Sequence, residues 1–112
     1  FKGECDTDRN LDDSLMQELA EHGALIGVGF WDGAVCDYSP EGVVRAIQYG
    51  IALLGAENIA LGSDYDGATR VAFDAGELSV LTQTMLDQGM SEENIRMVMG
   101  ENAIQFFRAN LP

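Results

Sequence analysis

The order of apolar segments in this chain predicts an α/β fold with parallel strands, of the kind that belongs to a larger sheet or barrel. Two short, continuous apolar runs, residues 24–30 (ALIGVGF) and 59–62 (IALG), are too short for ordinary helices and read as strands covered on both faces. Each follows a helical pattern, and helical patterns also close the chain, so helices and strands alternate as crossover units do. Neither run carries the charged or proline devices that protect an exposed sheet edge. Two strands alone make a poor sheet, and the sequence reads as the end of a longer protein.

Taken in order, Leu11, Leu15 and Leu19 recur at four-residue spacing after Asn10, which can cap a helix that Gly23 ends. The first strand follows. Ser39 and Pro40 then suit the start of a second helix, with Val43, Val44, Ile47, Ile51 and Leu54 as its buried stripe and Gly55 as its stop. After the second strand comes the acidic turn SDYDG and a loop through Phe73. Leu78, Leu81 and Met85 mark a third helix ending at Gly89, and Ser91 caps a short fourth one carrying Ile95, Val98 and Met99. A last helix from about Glu101 sets Ala103, Phe106 and Phe107 on its inner side. No linker or low-complexity tract divides the chain, so residues 1–112 form one segment.

With 112 residues the chain can build one modest core. Six basic residues against nineteen acidic ones leave a net charge of -13, which repels phosphate backbones and anionic lipid and argues against nucleic acid as a partner. No apolar run approaches the roughly 20 residues needed to span a bilayer. The two cysteines, Cys5 and Cys36, form no CxxC pair and read as reduced thiols, which favours the cytoplasm. The chain starts at Phe1 without a methionine, so an upstream signal or anchor stays open.

Functional groups in parallel α/β folds collect at the ends of strands. Here these ends supply Phe30, Trp31 and Asp32 on one side, and Ser63, Asp64, Tyr65 and Asp66 on the other. Asp64 and Asp66 serve either as turn formers, with Gly67 giving a permissive backbone, or as acids of a site; Asp64, nearer the strand, is the stronger candidate. Arg9, set among Glu4, Asp6, Asp8, Asp12 and Asp13, is either a balanced surface charge or a carboxylate clamp. Trp31 suits core packing or a pocket wall. His22, the only histidine, falls at a helix end where a cation complements the dipole. A dinucleotide motif fails because GVG lies inside the strand, and a calcium loop fails because Ala68 and Ala75 stand at ligand positions. No cluster has the spacing of a metal site, and no Ser-His-Asp set is defensible.

The stretches CDTDRNLDD, GVGFWDGAVC, ALGSDYDGA and MGENAIQFFRANL, in this order and over nearly the whole chain, resemble the membrane dipeptidase (renal dipeptidase-like) family of zinc metallopeptidases, especially its bacterial members. The resemblance implies a TIM-barrel-like metal-dependent hydrolase of amidohydrolase type. This chain would supply the last two strand-helix units and the terminal helices. Family members hydrolyse dipeptides with a metal-activated water, often tolerating a D-residue at the C-terminal position. Their two zinc ions are held by histidines and acids from earlier strands, so the resemblance implies no metal ligand in this chain and no activity of the chain by itself.

Carried over, Asp64 matches the catalytic aspartate, and Arg9 the arginine that pairs with the free carboxylate of the dipeptide. Trp31 matches an aromatic near the site mouth. Asp66, with Gly67, matches a second acid that supports the strand end. The implied partners are a dipeptide and the remainder of the barrel, with self-association as another way to cover the strands. The alternative is a non-catalytic α/β module that acts only by association.

Overall fold

The computed structural model describes all 112 residues. They fold in the order α1 (Asp13–Glu21), β1 (Ile26–Gly29), the single turn α2 (Asp32–Val35), α3 (Pro40–Leu54), β2 (Ile59–Ser63), α4 (Ser79–Asp87), α5 (Glu92–Arg96) and α6 (Asn102–Asn110). The turn α2 has no counterpart in the sequence expectation, because four residues carry no periodic signal.

The helix α3 forms as its local chemistry dictates. Ser39 Oγ accepts from the Gly42 N–H at 3.1 Å, Pro40 opens the first turn, and Gly55 leaves the helix at φ 94°. Its inner face places Val43, Val44 and Ile47 out of contact with solvent. Each such side chain contributes about 1.5–3 kcal/mol by burial. They meet Phe30, Ile59, Phe73, Leu81, Met85 and Val98 in one core.

The strands β1 and β2 pair in parallel, with Ile26 opposite Ile59, Gly27 opposite Ala60 and Val28 opposite Leu61. The register then slips: Gly29 faces Ser63, and Gly62 is skipped. A Cβ on Gly62 would stand 2.8 Å from the carbonyl carbon of Gly27, so only glycine lets the strands approach there. Within this chain the helices cover one sheet face. Val28 and Ile59 are buried on that face, whereas on the other Gly27 and Gly62 are exposed and only Ala60 is buried. The expected cover on both faces is therefore half present.

Three further expectations change. The first helix starts at Asp13 and not at Asn10, and it buries Met16 while leaving Leu15 on the surface. In α6 the inner residue is Asn102, whose amide donates to Ala56 O at 2.7 Å and Ile59 O at 2.8 Å, while Phe107 is 54% exposed. Both helices have apolar residues on more than one side, and periodicity alone does not say which side meets the core.

The third change concerns the cysteines. Cys5 and Cys36 are joined in a disulfide, with Cα atoms 5.6 Å apart, and are not free thiols. The fold lays the loop before α1 against the turn after α2, so residues 31 apart in sequence become neighbours. The argument from free thiols for a reducing compartment falls with this pairing.

Candidate functional site

An open cavity of about 470 Å³ runs along β1 from Ile26 to Gly29 and reaches the ends of both strands, where Arg9, Trp31 and Asp64 line it. Three of the residues singled out in sequence thus come together from three separate loops. Gly62, the residue skipped in the ladder, and Asn10 line the same cavity.

On one side, Arg9 extends over Trp31, its guanidinium carbon 5.6 Å from the ring centroid. Despite five acids nearby in sequence, Arg9 forms no ion pair; the pairs that exist are Lys2–Asp12, Arg45–Asp37 and Arg96–Glu92. A guanidinium stacked on an aromatic face is oriented while its N–H fork stays available to a planar anion. Trp31 is fixed in turn by its position before α2 and by an antiparallel bridge to Val71.

On the other side, the chain leaves β2 through two consecutive left-handed residues, Ser63 at φ 39° and Asp64 at φ 71°. Aspartate tolerates this conformation better than most residues, and such backbone states gather at functional sites. The turn closes by a bond from the Gly67 N–H to Asp64 O at 3.2 Å, supported by Thr69 Oγ1 donating to the same oxygen at 2.9 Å. Asp64 therefore both shapes the turn, through its backbone, and lines the cavity.

Tyr65 separates the two acids by turning inward. Its ring packs edge-on against Phe30 at 5.7 Å, and burial together with Asp74 and Glu77 raises its phenol pKa. Asp66 is exposed and outside the cavity lining. Gly67 does not take a positive φ, contrary to the permissive-backbone expectation. It supplies room instead: a Cβ there would collide with Asp64 Oδ1.

His22 lies at the end of α1, its Nδ1 2.8 Å from Glu18 O, outside the cavity. Nowhere do three His, Cys, Asp or Glu side chains converge as a metal centre requires. Sequence reasoning missed Asn10 as part of the site, because an Asn just before a helix carries the same signal as a cap.

The comparisons bear on the fold and the family. Among solved structures, an amidohydrolase from Pseudomonas aeruginosa superposes with a TM-score of 0.82 at 25% identity, covering 96% of this chain and 42% of that one. A metallo peptidase from Rhodobacter sphaeroides, solved with a phosphinate mimic of the dipeptide L-Ala-D-Ala, gives 0.79 at 28% identity over 89% of this chain and 31% of its own. In sequence, Dipeptidase 3 of Macaca fascicularis is 28% identical over 110 residues, 93% of this chain and 22% of the relative. An uncharacterized protein in the pqqA 5' region of Klebsiella pneumoniae is 36% identical over 72 residues, 58% of this chain and 27% of that protein. The chain spans about a quarter of the length of these curated relatives. Residues 1–110 match the family model described as membrane dipeptidase (peptidase family M19). With residues 1–110 of its 112 covered by that family model, the chain belongs to the membrane dipeptidase family of metallopeptidases.

Proposed function

We propose that this chain is the C-terminal part of a zinc-dependent dipeptidase, in which Asp64 handles the proton of peptide hydrolysis and Arg9 holds the free carboxylate of the substrate. The observation that carries the reading is the sharing of one cavity by an unpaired guanidinium and a strand-end carboxylate. The phosphinate dipeptide mimic on the Rhodobacter sphaeroides relative supports the substrate class.

In this reading water adds to the scissile carbonyl carbon, Asp64 takes a proton from it, and the same carboxyl delivers a proton to the departing amine nitrogen as the C–N bond breaks. Arg9 fixes the far end of the substrate by a bidentate pair, which favours dipeptides over longer chains. Trp31 forms a wall beneath that pair, and Asp66 supports the strand end. These residues contain no donor set that fits zinc, so the two ions belong with ligands outside the 112 residues, and the chain by itself is expected to be inactive. The open sheet face and the exposed Leu15 and Phe107 support the remainder of the barrel as their cover.

The test is Asp64→Asn in the full-length, metal-loaded enzyme. Loss of dipeptide turnover with an unchanged melting temperature is expected; retained turnover removes Asp64 from the mechanism.

A further inference from the structure

Asn10 stands directly after Arg9, at the place where a helix cap is expected, yet α1 begins only at Asp13 and its cap residue is Asp12. The amide of Asn10 is used elsewhere. Nδ2 donates to Cys5 O at 2.8 Å and to Ala34 O at 2.9 Å, with Thr7 Oγ1 at 3.4 Å, and Oδ1 accepts from the Phe1 nitrogen at 3.0 Å. One side chain thus ties the Arg9 loop to itself and to α2, just after Trp31. Thr7 makes a second tie between the same two segments, its hydroxyl donating to Gly33 O at 2.5 Å.

This bracing matters because Arg9 has no ion pair to orient it. Its direction depends on where the loop sets its backbone and on the Trp31 face beneath it. An amide whose two N–H groups both reach carbonyls of different segments fixes their relative position in a way a cap at a helix start does not.

We propose that Asn10 is a positioning residue: by locking the Arg9 loop onto the Trp31 segment, it sets the guanidinium for a substrate carboxylate and so sets affinity for free dipeptides. This rests on the clamp reading of Arg9. Losing the tie lets the loop move and weakens ground-state and transition-state binding alike, a KM effect with little change in kcat.

The experiment compares Ala-Ala with Ala-Ala amide, which lacks the carboxylate, in the full-length, metal-loaded enzyme. Asn10→Leu, close in shape but without hydrogen bonds, should raise KM for Ala-Ala about tenfold, leave its kcat within about twofold, and spare the amide. Thr7→Val should shift KM the same way by less. Equal losses on both substrates in Asn10→Leu overturn the proposal, since a merely structural residue cannot tell them apart. If Asn10→Leu does not fold, an unaltered Ala-Ala KM in Thr7→Val overturns it. Arg9→Met is run alongside: failure of that variant to discriminate the substrates removes the clamp itself, whereas discrimination by Arg9→Met without any by Asn10→Leu removes only the role of Asn10.

Discussion

The two walls of the cavity are built by opposite means. The Arg9 and Trp31 wall is cross-linked: a disulfide, the Asn10 amide, the Thr7 hydroxyl and a cation stacked on an indole all join the loop before α1 to the segment that follows β1. The Asp64 wall is a single turn held by its own backbone, with two left-handed residues and a glycine that leaves room for the carboxylate. A group that recognises a substrate by shape gains from a stiff frame, whereas a carboxylate that exchanges protons gains from open, unpaired oxygens. The contrast predicts that substitutions on the first wall act on stability and binding, and those on the second on turnover.

The largest effect is expected from breaking the cross-link. Cys36→Ser opens a loop of 31 residues and should lower unfolding free energy by about 3 to 4 kcal/mol, read by denaturant titration. A higher KM for dipeptide should accompany it; an unchanged KM in the folded variant would separate the disulfide from the anchor. Next is Gly67→Ala, whose methyl group meets Asp64 Oδ1. Displacing that carboxylate should cut kcat about 10²-fold with KM little changed, and a kcat near wild type would show that the acid tolerates the shift.

Smaller again is Arg9→Lys, which keeps the charge and loses the fork: kcat/KM for dipeptides should fall about tenfold, and an unchanged value counts against the clamp. The smallest concerns the back of the braced wall, where the Tyr49 hydroxyl donates to Asp13 at the start of α1 and that hydrogen bond raises the phenol pKa. A raised folded pKa gives a contribution that is complete below pH 10.0 and lost as pH climbs through the folded value. Tyr49→Phe should therefore flatten the alkaline arm of a stability profile, and an unaltered arm would place its origin elsewhere.

What the residues disclosed beforehand follows the same division. The boundaries of α3 were legible because Ser39, Pro40 and Gly55 act within a few residues of themselves. Both strands were legible as apolar runs, and Asp64 could be separated from Asp66 by its place at the strand end. The disulfide was not legible, because only the folded chain brings Cys5 to Cys36. Asn10 was misread because its local signal is that of a cap. The inner faces of α1 and α6 were misjudged at Leu15 and Phe107, since the choice of face belongs to whatever packs against it. Gly67 was credited with dihedral freedom when its part is to leave space for a neighbour's carboxylate.

The skipped Gly62 sets the parity on which β2 ends. Along a strand successive side chains alternate between faces, so each added or removed residue exchanges odd for even. Because the ladder miscounts once between Val28 and Gly29, Ser63 is out of step with the pairing that precedes it. Deleting that one glycine would restore the count and invert the parity of Ser63, the last residue of β2. The strand end from which Asp64 departs thus depends on an arithmetic offset of one residue in an otherwise regular pair of strands.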